Sequence, residues 1–160
     1  MKVGITGHQD LGSEATITWL SVRLEEIIRQ YHIDVGITSL AIGADQLYAE
    51  VLRKANVPYI AVIPSNGYAI TFQNTNDLDH YHALLRNASE KLQLPFEKPS
   101  ETAFYEAGKQ IVRLSDMLLA IWNDQPAKGL GGTGDIVEYA RSLKKPVVHL
   151  NPITQTIREI

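Results

Sequence analysis

There is no cysteine among the 160 residues of this chain. That absence excludes disulfides, thiol catalysis and cysteine metal sites. No apolar run approaches the roughly 18 residues that a bilayer span requires. The apolar stretch at the start, Met1 to Gly7, is too short for a signal peptide. A cytoplasmic protein with no membrane partner is therefore expected. Positive charge is not in excess either: 15 Lys and Arg stand against 18 Asp and Glu, for a net charge of −3. An extended nucleic-acid surface is accordingly not expected, though a local basic cluster inside a pocket is compatible with this balance. The motifs G-x-x-x-x-G-K-[ST], H-E-x-x-H and G-x-S-x-G are all missing. Walker-type nucleotide hydrolysis, zinc-protease chemistry and a hydrolase serine elbow are thus disfavoured. His80 and His82 flank Tyr81, but side chains two apart on a helix diverge. No metal and no other cofactor is expected.

What is present is ordinary for one globular domain: 44% hydrophobic and 21% charged residues. Short apolar runs alternate with amphipathic segments. Strands are expected at Lys2–Thr6, Ile37–Ile42, Tyr59–Ile63, Met117–Trp122 and Pro146–Leu150. Helices are expected from Ser13 to Tyr31, after Gly43-Ala44-Asp45, over Asp77–Leu92, from Ser100 to Arg113 and over Asp135–Leu143. Strands separated by helices predict βαβ units. The expected fold class is α/β, a single-domain three-layer sandwich with a mainly parallel sheet of about five strands. It should fill residues 1–152, with 153–160 a C-terminal tail of weak signals. Ligands in such folds lie beyond the carboxyl ends of the strands.

That edge collects the candidate site residues. The strongest signal is Lys128-Gly-Leu-Gly-Gly-Thr-Gly-Asp-Ile-Val-Glu138, a glycine-rich loop that opens a helix after an apolar strand. Glycine permits close backbone approach, and a helix N-terminus offers unpaired N–H groups and a positive dipole end. Gly131, Gly132, Thr133 and Gly134 are candidate phosphate contacts, with Asp135 and Glu138 on the helix behind them. Gly129 to Gly134 formally matches G-x-G-x-x-G, but residues intervene after Trp122 and the expected downstream acid would fall in the tail. The dinucleotide reading is set aside on that ground. Glu138 can accept from ribose hydroxyls, or act as a nucleophile in a glycosidic reaction. Thr6, Gly7 and His8 end the first strand and face a phosphate or base. Gly43, Ala44 and Asp45 add helix N-terminal donors, and Pro64 closes the third strand. Trp122 can stack on a base, while Lys109, Arg113 and Lys128 are candidate phosphate partners.

These blocks resemble the SLOG superfamily, Rossmann-like proteins that include relatives of DprA, the LOG phosphoribohydrolases and the molybdenum-cofactor carriers. Ile5-Thr6-Gly7-His8 carries the resemblance first. Gly43-Ala44-Asp45 with Val62-Ile63-Pro64 carries it next, and Ser115-Asp116 through Gly131-Gly132-Thr133-Gly134-Asp135-Ile136-Val137-Glu138 is its most specific part. The last block is similar to P-G-G-x-G-T-x-x-E, with Leu130 in place of proline and Asp135 in place of threonine. The resemblance implies a nucleotide or nucleotide-derived, ADP-ribose-like ligand over the glycine loop, and a homodimer or higher homo-oligomer. The arginine that assists glycosidic cleavage in LOG enzymes has no counterpart, since its position falls near Ala107.

Three functions follow as expectations. The first is a sensor or carrier that binds such a nucleotide. The second is an N-glycosidase, phosphoribohydrolase-like or deoxyribosyltransferase-like, using Glu138 with His8 as partner. The third is an interaction module that keeps the fold without a ligand.

Overall fold

Each apolar run becomes a strand because the amphipathic segment after it folds back over it. The computed structural model describes Met1–Ile160. In chain order the elements are β1 (Lys2–Gly7), α1 (Glu14–Gln30), β2 (Val35–Thr38), α2 (Ala44–Lys54), β3 (Tyr59–Ile63), a 3-10 turn (Tyr68–Thr71) and α3 (Thr75–Asn87). They continue as β4 (Glu90–Gln93), α4 (Glu101–Leu114), β5 (Met117–Ile121), α5 (Thr133–Ser142), β6 (Val147–Asn151) and β7 (Thr156–Glu159). Ser13, Asn74 and Ser100 cap α1, α3 and α4, each side chain accepting from a first-turn N–H. The caps of α2 and α5 are instead Gly43 and Gly132, which supply no side-chain acceptor.

The sheet runs β4-β3-β2-β1-β5-β6-β7 and is parallel except at the last pair. Strands β1 to β4 are laid down outward in one direction. Helix α4 then carries the chain back, and β5 pairs with the other side of β1, from Val3 opposite Met117 to Gly7 opposite Ile121. The order reverses between β1 and β5, so the crevice for a ligand opens there. Period-2 alternation divides the core. Val3, Ile5, Leu119 and Ile121 pack under α1, α2 and α3, while Leu118, Ala120, Ile37 and Val62 pack under α4 and α5. The three-layer α/β sandwich is as the sequence predicts.

The sheet has seven strands, not about five. Both additions are edge strands with little burial. Glu90–Gln93, read from sequence as the end of a helix, pairs with β3 because α3 stops at Asn87. Residues after Pro152, expected as a tail, fold back so that Thr156–Glu159 pairs antiparallel with β6. Strand β2 ends at Thr38 rather than Ile42, because Leu40 takes a left-handed φ of 58° and turns the chain toward α2.

Candidate functional site

The ends of β1, β2, β3 and β5 and the starts of α2, α4 and α5 enclose a cavity of about 1130 Å³. Thr6, Gly7, His8, Asp45, Pro64, Gly131, Gly132, Thr133 and Gly134 all line it. The sequence-predicted residues are thus brought together, with four exceptions: Gly43, Ala44, Asp135 and Glu138 are not in its wall.

Gly43 and Ala44 are spent on packing. Ala44 is fully buried, and its N–H donates to the His8 carbonyl at 3.0 Å. The next turn is closed by Gln46 N–H donating to the Ala41 carbonyl at 3.1 Å. The expectation that Ala44 offers a donor to a phosphate is therefore corrected, because the loop after β1 has occupied its N–H, and Gly43 lies outside the cavity wall. Gly43 sits at φ 90°, and a Cβ there would lie 2.6 Å from Gln9 Cα and closer still to the carbonyl oxygens of His8 and Gln9.

Asp45 lies in the cavity floor, 7% exposed. Its Oδ2 accepts from Ser39 N–H at 2.9 Å, so the carboxylate staples the turn at Leu40. Burial raises its pKa from 3.8 to about 6, against the lowering effect of hydrogen bonds from Ser39, Thr38 and Ala41. The folded value is the higher one, so between about pH 4 and about pH 6 the native state binds more protons than the unfolded chain. Asp45 therefore stabilises the fold at low pH and loses that contribution as pH rises through about 6. Replacing Asp45 by Asn is expected to remove this slope. Urea titrations from pH 4 to pH 7 check it: a wild-type minus variant difference that does not fall across the window contradicts the assignment.

On the opposite wall, the glycine loop is pinned to α4. Gly131 takes φ 85°, and a Cβ there would sit 2.9 Å from the backbone of Tyr105. Asp135 turns back and accepts from Gly131 N–H at 3.1 Å, so its carboxylate stabilises the loop rather than facing a ligand. The backbone N–H groups of Thr133 and Gly134, in the first turn of α5, have no acceptor in the chain. Thr133 is 9% exposed, and no side-chain hydrogen bond caps this helix start. Both residues line the cavity, at the positive end of α5.

Lys128 is the one Lys or Arg in the lining. Lys109 instead pairs with Glu106 at 2.7 Å and lies over the Tyr105 ring, and Arg113 binds Gln110 and the Tyr139 hydroxyl. Glu138 is exposed and outside the cavity, so its carboxylate is not placed where ribose or a glycosidic bond would lie. Trp122 does line the cavity, with Nε1 donating to the Gln125 carbonyl at 2.8 Å.

Sequence reasoning missed the aromatic wall. Tyr68 meets Phe72 and Phe104 edge-on, with centroids 5.5 and 6.1 Å apart, and all three line the cavity. They come from the irregular middle and from α4. The sequence signal was weak, because Tyr68 and Phe72 lie in a stretch with no helical or strand period.

No protein-family model and no curated protein matches the sequence. The fold and cavity define a Rossmann-like protein with a crevice at its topological switch point. Solved structures share that fold. DNA processing protein A from Helicobacter pylori, described by its single-stranded DNA binding mode, aligns at TM-score 0.66 and 21% identity, over 94% of this chain and 65% of that one. DNA processing protein A from Streptococcus pneumoniae gives TM-score 0.67 and 17% identity, over 94% and 50%. The molybdenum cofactor binding protein of Rippkaea orientalis gives 0.59 and 19%, over 94% and 76%. This chain spans about two thirds of the first of these proteins and half of the second. At 17–21% identity these likenesses are likenesses of fold. One expectation is overturned. Net charge argued against a nucleic-acid surface, yet a protein that binds single-stranded DNA shares this fold. Overall charge reports the average surface, whereas a groove is built from local donors. As for membranes, no helix is long and apolar enough to cross one.

Proposed function

We propose that this protein binds a nucleotide or nucleotide-derived ligand in the cavity between β1 and β5, as a sensor or carrier. The observation that carries this reading is the group of donors on α5 without an acceptor in the chain, the N–H groups of Thr133 and Gly134 and the Thr133 hydroxyl, on two residues that line one cavity. A phosphate supplies the oxygens these donors need, and the helix dipole favours its charge. Lys128 adds a cation beside it. The aromatic wall of Tyr68, Phe72 and Phe104, with Trp122, gives a flat heterocycle apolar surface to lie against. Thr6, Gly7, His8 and Pro64 form the wall facing the loop, with Asp45 beneath. A single DNA strand is itself a row of nucleotides, so the chemistry named for the H. pylori protein is compatible with this reading. Hydrolysis through Glu138 gains no support, because that carboxylate lies outside the cavity.

The test is native mass spectrometry of the purified protein, followed by calorimetric titration with nucleoside phosphates, ADP-ribose and a short single-stranded oligonucleotide. A co-purifying or saturably binding compound of this class is the expected result. No binding across the panel defeats the proposal.

A further inference from the structure

The wall of the cavity begins at one peptide unit, and two histidines hold it from opposite sides. The peptide joins Trp122 to Asn123, directly after β5. Its N–H, on Asn123, donates to His8 Nε2 at 3.0 Å. Its carbonyl, on Trp122, bonds His149 Nε2 at 2.7 Å. His8 comes from the end of β1 and His149 from the middle of β6, the two strands that flank β5.

Hydrogen-bond chemistry fixes both rings. A backbone N–H only donates, so His8 Nε2 must present a lone pair and the His8 proton is on Nδ1. A carbonyl only accepts, so His149 Nε2 must carry a proton. The other nitrogen of His149, Nδ1, accepts from Arg158 Nε at 3.4 Å, which requires a lone pair there. Both rings are neutral and hold opposite tautomers. Arg158 lies on β7 and pairs with Asp124 at 3.0 Å, so a bridge from the edge strand closes over the same turn. His149 is buried, with its ring 5.1 Å from that of Trp122.

We propose that His8 and His149 are positioning residues for the ligand loop: they clamp the Trp122–Asn123 peptide in opposite neutral tautomers and so set where the chain enters the wall that ends at Thr133 and Gly134. This inference rests on the binding reading for its purpose, but its geometry is testable without a ligand. The loop between that peptide and α5 has no regular structure of its own. It is tied by the Asp135 bond to Gly131 at one end and by this clamp at the other, with Arg158 on Asp124 and Trp122 Nε1 on the Gln125 carbonyl between them.

Nitrogen-15 correlation spectra of the histidine rings at neutral pH test the wild-type protein directly. The expected result is a proton on Nδ1 of His8 and on Nε2 of His149. A proton on Nε2 of His8, or on Nδ1 alone of His149, overturns the proposal. His149→Phe then removes the donor, while His149→Gln keeps an N–H at similar reach. Loss of a buried hydrogen bond predicts that His149→Phe shifts the amide signals of Gly131 to Gly134 and weakens AMP binding about tenfold, with both effects reversed in His149→Gln. Unmoved amide signals in a folded His149→Phe variant also overturn it. Should the wild-type protein fail to bind AMP or any other nucleotide, the binding proposal falls, and the tautomers and amide shifts still decide whether the clamp exists. The tautomer spectrum decides even where His149→Phe does not fold.

Discussion

Thr133→Pro is expected to leave the fold intact and to lower nucleotide affinity by about a hundredfold or more, since two charge-assisted hydrogen bonds contribute about 1.5–3 kcal/mol each. Thr133 is the first residue of α5. Proline is favoured at that position, because the N–H it lacks has no helical partner anyway and its φ already suits a helix. The residue before it, Gly132, has φ −64° and ψ 169°, the extended conformation that proline imposes on its predecessor. The substitution therefore removes the Thr133 N–H and hydroxyl while sparing the helix. Thr133→Ser, which keeps both donors, should bind within a few-fold of wild type. Melting temperature and circular dichroism report the fold, and calorimetry with the best-binding nucleotide reports the site. Wild-type affinity in a folded Thr133→Pro variant would place the phosphate elsewhere.

The sequence carried this wall of the site better than the other. Four glycines and a threonine before an amphipathic run describe a helix start without reference to the rest of the chain, and the loop lies where those residues predict. Glu138 failed because sequence position along a helix says how far a residue is from the end but not which face the sheet covers. Ile136, Val137 and Ala140 take the buried side of α5, and Glu138 is left to solvent. Of the Gly43-Ala44-Asp45 block, Asp45 lines the cavity as read, while the Ala44 donor failed for a different reason. The block too reads as a helix start, but whether the Ala44 N–H is free depends on a carbonyl from His8, some 35 residues away in the chain and adjacent only once β1 and α2 have packed. The edge strands β4 and β7 were illegible because exposed strands need no hydrophobic alternation: pairing with β3 and β6 decides them. The histidine clamp rests on His149, which within the sequence is one polar residue inside an apolar strand.

Gly43→Ala is expected to destabilise the protein by about 4 kcal/mol or more, a large share of the roughly 5–15 kcal/mol that holds a domain together. Two costs add. The backbone at φ 90° and ψ −121° is a conformation that side-chain-bearing residues rarely adopt, worth about 1–3 kcal/mol. The new Cβ would also press on the backbone of His8 and Gln9, which cannot swing aside as a side chain can. Those two residues form the turn out of β1, whose carbonyl at His8 binds Ala44 N–H, so relief requires moving either the end of β1 or the start of α2. Gly12 separates the two costs. It has nearly the same φ, 87°, but the nearest atom to a Cβ there is Thr16 Oγ1 at 4.0 Å. Gly12→Ala therefore reports a positive φ without a close contact, and a larger loss for Gly43→Ala is expected from the close approach of β1 to α2. Urea unfolding of both variants measures the difference. Equal losses would mean that the junction yields to a methyl group, and that the wall formed by Thr6, Gly7 and His8 is not rigidly held against α2.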